Sequence, residues 1–469
     1  MKSKTSIQRL IIFALALISI VACNNEKALV ESRPNIVFIL ADDLGCAQIG
    51  SYGTEYYKTP HIDKLANNGM RFTNAYAAGA VCSPTRASLI TGKYPARLHL
   101  TDFIPGHVYE NVPLLPPDWQ KYLPLEELTI GEAFQENGYK TAIIGKWHLS
   151  STKKPPGSLE FNPDKQGFEE TFVTYKPSRK SEEPYNPWQT PENDGHNVDT
   201  ITSRAIKFIE DNKDNPFLLI ISHNTIHDPL MEKSKTIDKY ERLAATKEPE
   251  NNPTLAAMVE RMDNSVGLVI NIIKQSGIEE NTIIIFFSDN GGQDTYAKQT
   301  PFREGKAWFY EGGIRVPLIF SWKGHIEPNS VSHQMVSSID MFPTLLNMSS
   351  GKLSTAAKFD GVSLSNLLVK GGTIDRQTLY WHYPHYHGLG MKPASAIRFG
   401  DYKLIEWYEE KLVNSDKVYE LYNLADDLGE KNDLSAKLPE KLEELKAMLT
   451  KWKMDVKAQD PIVNEVYQK

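Results

Sequence analysis

Short apolar runs alternate along this chain with longer stretches in which apolar residues recur every three or four positions. Asn35-Ile36-Val37-Phe38-Ile39-Leu40-Ala41 is polar only at its first residue, the mark of a strand buried on both faces. Further strands are predicted over 139–144, 217–222, 283–288 and 316–321, with a short one at 171–175. The clearest helix spans 254–277, where Leu255, Met258, Val259, Met262, Val266, Val269, Ile270 and Ile273 share one face. Helices are also predicted from Pro60 to a stop at Gly69, over 129–137, and over 200–211. Strand alternating with helix implies an α/β fold, a large mostly parallel sheet flanked by helices. Past Gly371-Gly372 the pattern changes to short antiparallel strands at 380–383, 394–399, 402–407 and 419–423, then a helix over 438–452. The reading is a main domain over 34–370 and a smaller C-terminal α+β subdomain over 371–469.

The start of the chain reads as a targeting segment. Lys2, Lys4 and Arg9 precede an apolar run from Leu10 to Val21, shorter than the ~20 residues a membrane-spanning helix needs. Ile20-Val21-Ala22-Cys23 resembles a bacterial lipobox, which implies a signal peptide over 1–22, lipidation of Cys23 and a polar tether over 23–33. The expected location is outside the cytoplasm, periplasmic or held to the outer membrane by the lipid alone; an ordinary secretory peptide is the alternative. A formal net charge of −7 argues against nucleic acid as a partner and leaves any anionic substrate to a local basic site.

The candidate chemistry sits where strands end, the edge at which open α/β sheets bind ligands. Asp42-Asp43, Lys146 with His148, His227 and Asp289-Asn290 all follow predicted strands. Three carboxylates at one edge repel one another unless a cation joins them. Oxygen donors without metal-spaced His or Cys select Ca²⁺ or Mg²⁺, and three carboxylates with an amide lean towards Ca²⁺. Cys82-Ser83-Pro84-Thr85-Arg86, running on to Gly92, reads as a helix start. Ser83 is the expected N-cap, Pro84 the first helical residue and Gly92 the stop, with Cys82 just before a helix N-terminus that favours anions. Arg86 follows about one turn later.

That Cys-x-Pro-x-Arg stretch resembles the signature of the type I, formylglycine-dependent sulfatases of the alkaline phosphatase superfamily. The likeness covers the whole mature length and is nearest to the arylsulfatase-A-like and N-acetylgalactosamine sulfatases, which points to a bacterial carbohydrate sulfatase. It implies that Cys82 becomes formylglycine through a formylglycine-generating or anaerobic sulfatase-maturating enzyme. It implies that Asp42, Asp43, Cys82, Asp289 and Asn290 hold one Ca²⁺, with Mg²⁺ as the alternative. It implies sulfate-binding and proton-transfer roles for Arg86, Lys146, His148, His227 and Lys306: Lys146 and Lys306 neutralise the ester, and Asp289 takes a proton from the hydrated aldehyde. His227, helped by Lys306, protonates the departing oxygen, and His148 then drives sulfate release. Thr85 stands where many relatives carry Ser. With Cys23 lipidated and Cys82 modified, Cys46 remains as core, and no disulfide framework is expected.

The expected substrate is a sulfated glycan or its oligosaccharides, attacked from a chain end, with sulfated galactose or N-acetylgalactosamine favoured and the 4-position ahead of the 6-position. Two stretches offer hydroxyl-directed groups beside aromatic rings: 97–102, with His99 and Asp102, and 381–387, with His385 and His387. Two other functions stay open. One is a phosphonate or phosphodiester hydrolase of the same superfamily; the other is a non-catalytic glycan-binding lipoprotein on the same scaffold.

Overall fold

The computed structural model describes residues 33–150, 160–174, 195–353, 357–413, 415 and 417–467. The predicted signal peptide, Cys23 and the tether lie outside them, as does Tyr175 at the end of the predicted strand 171–175. Among the described residues no helix is long and apolar enough to cross a membrane.

Eight strands form the main sheet: β1 (Asn35–Ala41), β2 (Met70–Phe72), β3 (Lys140–Gly145), β4 (Glu170–Val173), β5 (Phe217–Ser222), β6 (Thr282–Ser288), β7 (Leu318–Ser321) and β8 (Ser330–Ser332). Their spatial order is β8-β2-β7-β6-β1-β5-β3-β4. All neighbours are parallel except β7, which runs antiparallel to β2 and β6. Strands β2 and β8, at one end of the sheet, escape the sequence pattern because each has only three residues, too few to show a period. β7 begins two residues after the predicted 316, since the Val316 amide is already donated to the Ala75 carbonyl.

The apolar run of β1 explains the layering. Ile36, Phe38 and Leu40 point into one core with helices α2 (Cys82–Thr91) and α3 (Ile130–Glu136). Val37, Ile39 and Ala41 point into the other, with α1 (Pro60–Asn67), α4 (Val198–Asn212) and α5 (Pro253–Gln275). A strand with helices on both faces has no solvent side, so alternation is lost and every position is apolar. α3 starts on a capping box in which Thr129 and Glu132 satisfy each other's amides.

Beyond residue 371, β9 (Thr378–Tyr383), β10 (Ala394–Phe399), β11 (Tyr402–Trp407) and β12 (Tyr419–Asn423) make an antiparallel meander. Helix α6 (Pro439–Val456) packs on this sheet through Leu445, Leu449, Trp452 and Val456. Trp381 of β9 joins the meander to the main domain by donating its indole N–H to the Ala77 carbonyl at 2.8 Å.

Candidate active site

Strand register puts the chemistry in one row. Ala41 of β1 pairs with Ser288 of β6, and Leu40 with Ser222 of β5; Ser222 in turn pairs with Gly145 of β3. The residues that follow these ends, Asp42, Asp289 and Lys146, therefore emerge side by side. Gly145 makes the close approach possible: with φ +117 its backbone lies so near the Ser222 carbonyl that a Cβ would meet that oxygen at 1.8 Å. Asp43 turns in the left-handed region, φ 62, and its amide reaches an Asp289 carboxylate oxygen at 3.2 Å.

Cys82 sits over this row. Its helix begins two residues earlier than the sequence suggests: extended Val81 is the N-cap, and Cys82 itself lies in the first turn. Ser83 is not the cap because its hydroxyl accepts the Ile104 amide at 3.0 Å instead. Pro84 still falls in the first turn, where no N–H is needed, and Gly92 ends the helix at φ 68. The Cys82 sulfur lies 3.5 Å from Asp42 and 4.0 Å from Asp43. Burial pushes its thiol well above the usual range, so the unmodified side chain is no thiolate nucleophile at neutral pH.

Three cations interleave with three carboxylates. The Arg86 guanidinium holds Asp289 through Nε at 2.8 Å and Nη2 at 2.7 Å. Lys146 holds Asp42 at 2.6 Å and Lys306 holds Asp43 at 2.6 Å. Burial works to raise all three carboxyls. Lys146, His227 and Arg86 overcome it at Asp42, and Lys306 and His227 at Asp43, so both are held low. At Asp289 burial wins, reinforced by the Asp42 charge, and the group is pushed up to about 7. Ser222, which the sequence did not mark, fixes Arg86 by accepting from Nη1 at 2.7 Å while donating to the Lys146 carbonyl at 2.6 Å. A serine ending a strand is too common to signal such a role.

The geometry suits a divalent cation. Ligand atoms of Asp42, Asp43, Asp289 and Cys82 all lie within 4.8 Å of one another. Asn290 donates its amide N–H to Asp43 at 2.8 Å, yet its side-chain oxygen is buried without a hydrogen-bond partner. An acceptor left unsatisfied inside an all-oxygen cluster is what a hard cation satisfies.

Two histidines flank the cluster. His227 donates Nδ1–H to the Asp228 carbonyl at 2.7 Å, leaving Nε2 3.8 Å from Asp43. Burial and Lys306 lower its pKa against the pull of Asp43. His148 donates Nε2–H to the Ile104 carbonyl at 2.6 Å, and burial with Lys146 keeps the ring neutral.

The expected sugar contacts divide. His387 lies near the cluster, where burial, Lys306 and the neighbouring His107 lower its pKa to about 3. The exposed His107, absent from the sequence reading, stands with its ring 5.1 Å from that of His387 and 4.7 Å from Phe103. The other three are bound up in the fold. His99 points to the end of α6, its Nε2 2.9 Å from the Lys457 carbonyl. Asp102 accepts from the Tyr383 hydroxyl at 2.8 Å, and His385 meets Thr101 at 2.8 Å, both interior. Their hydrogen-bonding atoms are committed to protein partners, which the polarity of a sequence stretch does not reveal.

The sulfatase family model matches residues 34–351, and a model of the C-terminal region of N-sulphoglucosamine sulphohydrolase matches 304–459. Human arylsulfatase A is 31% identical over 481 residues, spanning 89% of this chain and 87% of its own. The N-acetylgalactosamine-6-O-sulfatase of Bacteroides thetaiotaomicron is 28% identical over 498 residues, spanning 89% and 93%. Among solved structures, Ps i-CgsB in complex with k-i-k-neocarrahexaose superposes with a TM-score of 0.75 at 27% identity, over 92% of this chain and 95% of its own. Members of this family generally use formylglycine and a divalent metal, and the acidic cluster beside Cys82 is able to hold such an ion. A doubly covered parallel sheet, a buried cysteine among carboxylates and cations, and these full-length likenesses agree: the chain belongs to the sulfatase family and is a sulfuric ester hydrolase.

Proposed function

We propose that this enzyme is an exported, lipid-anchored sulfatase that removes sulfate from the end of a sulfated glycan, with galactose or N-acetylgalactosamine sulfate as the preferred unit. The observation that carries the chemistry is the Cys82 sulfur within 4.0 Å of two carboxylates, in a cluster that also holds Arg86, Lys146 and Lys306. Formylglycine at position 82 supplies the oxygen nucleophile and Ca²⁺ supplies charge at the ester, the ion being held by Asp42, Asp43, Asp289 and Asn290. Lys146 and Lys306 neutralise the sulfate oxygens, and Arg86 holds Asp289 in place as proton acceptor. His227, its Nδ1–H held by the Asp228 carbonyl, acts as the acid in its imidazolium form and donates from Nε2 to the departing sugar oxygen. His148, with Nε2 tied to Ile104, accepts the proton whose loss frees sulfate.

The galacto assignment is supported by the N-acetylgalactosamine-6-O-sulfatase likeness and by the κ/ι-type neocarrahexaose complex of the structural relative. His387 and His107 beside Phe103 supply polar tips on ring faces where the sugar attached to the sulfate would lie. The 4-position remains our preference over the 6-position, although the relative just named is a 6-O-sulfatase. A panel of saccharides sulfated at single defined positions, run beside phosphate mono- and diesters, tests the reading. Faster turnover of phosphoesters, or activity confined to glucosamine or uronic acid sulfates, overturns it. An aldehyde-reactive probe on the tryptic peptide 72–86 checks maturation of Cys82.

A further inference from the structure

We propose that Asp102 is a positioning residue for His148: its buried carboxylate ties the 102–107 loop into the one shape that presents the Ile104 carbonyl to Nε2 of that histidine. The inference rests on the role given above to His148 in sulfate release.

The loop is organised around the carboxylate. One Asp102 oxygen accepts the Phe103 amide at 2.8 Å and the Tyr383 hydroxyl at 2.8 Å. The His107 amide is a further donor to the same group. Gly106 lets the loop close over it: φ is 81, and a Cβ there would stand 3.1 Å from the second Asp102 oxygen and 2.7 Å from Trp119. Inside this turn Ile104 is held from both sides, its amide by the Ser83 hydroxyl at 3.0 Å and its carbonyl by His148 at 2.6 Å. Ser83 adjoins Cys82, so the loop spans from the nucleophile's own helix to the general base. A carbonyl can only accept, hence Nε2 must carry the hydrogen and Nδ1 the lone pair. Without the clamp, the ring loses the contact that selects this tautomer. Tyr383 comes from β9, so the C-terminal sheet has a hand in the chemistry without touching the reacting atoms.

The test compares Asp102→Asn, Tyr383→Phe and His148→Ala in the matured enzyme, with ¹⁵N-histidine NMR of the first two beside the wild type. Asp102→Asn keeps the volume but sets an amide group among donors; Tyr383→Phe removes one donor and is the variant to rely on if the first fails to fold. Positioning predicts that Asp102→Asn lowers kcat by about 10–100-fold, with KM falling alongside and kcat/KM kept, because a step after ester cleavage is slowed. Tyr383→Phe should show the same pattern more weakly. The His148 resonance, identified by its absence in His148→Ala, should lose its single Nε2–H signature in both. An unchanged tautomer with unchanged kcat overturns the proposal, as does a fall in kcat/KM equal to the fall in kcat. If His148→Ala itself keeps full kcat, the assigned role of His148 fails, and the positioning role falls with it.

Discussion

Among the described residues, two of the buried charge clusters are built alike from carboxylates and cations and put to opposite uses. The cluster around Cys82 sets Asp42, Asp43 and Asp289 against Arg86, Lys146 and Lys306. The other joins the main domain to the C-terminal sheet and is centred on Lys403, which is fully buried with Glu311 and Glu430. In the second every donor finds an acceptor. Lys403 holds the Phe309 carbonyl at 2.9 Å, Glu311 at 2.9 Å and Glu430 at 2.5 Å. Glu311 also accepts from Tyr76 at 2.7 Å and Arg315 at 3.0 Å, and its amide is donated to Glu430 at 2.7 Å. In the first cluster the buried Asn290 side-chain oxygen has no hydrogen bond, whereas in the second Glu430 Oε1 is met by the Lys403 ammonium; each cluster holds one carboxyl pushed up to about 7, Asp289 and Glu430. Saturation, more than composition, separates a structural ion cluster from a chemical one.

The largest effect should come from the open cluster. Cys82→Ala is expected to lower turnover on the order of 10⁴-fold or more while leaving the melting temperature near that of the wild type. Substantial activity in that variant would remove Cys82 from the mechanism.

Lys403→Met does the reverse. It leaves Glu311 and Glu430 buried without their shared cation, so it should destabilise the fold by roughly 3–5 kcal/mol, read from chemical denaturation. Activity per folded molecule should stay within about twofold of the wild type, since Lys403 touches nothing in the Cys82 cluster. A selective loss of kcat with stability intact would mean that the two clusters are coupled and the contrast false.

The metal sharpens the distinction. Saturating Ca²⁺ at about 100 times its Kd should add about 2.7 kcal/mol of stability, and chelation should remove it. Asn290→Ala should flatten that response, whereas Lys403→Met should lower the melting temperature yet keep the full Ca²⁺ shift. A Ca²⁺ shift kept in full by Asn290→Ala would show that the ion binds elsewhere.

The open cluster is the one the sequence exposes. Its carboxylates follow apolar runs, Asp42 and Asp43 directly after β1 and Asp289 after β6 with only Ser288 between, and a run buried on both faces must deliver the residues that follow it to the sheet edge. The closed cluster is hidden because its members share no local pattern. Glu311 and Glu430 are 119 positions apart, and Lys403 sits in a six-residue strand whose two faces each mix apolar residues with one charge, so neither reads as the buried one. The same limit explains Asp102, which by residue type alone serves equally as a sugar contact or a loop clamp; only Tyr383, 281 positions away, decides. Ser83 shows the limit on a smaller scale. Its cap propensity is real, yet the Ile104 amide competes for the hydroxyl and the helix starts two residues sooner.

An effect of similar size lies in how the closed cluster titrates. Burial raises Glu430 to about 7 despite Lys403, whereas Lys403 and Arg315 overcome burial at Glu311 and bring it to about 2. The two act on stability with opposite sign. Glu311 has a depressed folded pKa, so its contribution is present above the unfolded value, about 4.3, and is lost as pH falls towards 2. Glu430 has a raised one: between the unfolded value and about 7 the folded state binds the extra proton, and stability declines as pH rises through that window. Glu430→Gln removes this one titration while keeping the shape and an acceptor for the Glu311 amide. The unfolding free energy of the wild type minus that of Glu430→Gln should therefore fall between about pH 4.5 and 7, by on the order of 3 kcal/mol, and be flat on either side. Taking the difference cancels the other buried groups that titrate nearby, Asp102 at about 7 and His382 at about 4 among them. A difference that rises with pH across the window would mean that Lys403 holds Glu430 ionised, and that the closed cluster contains a fully charged triad.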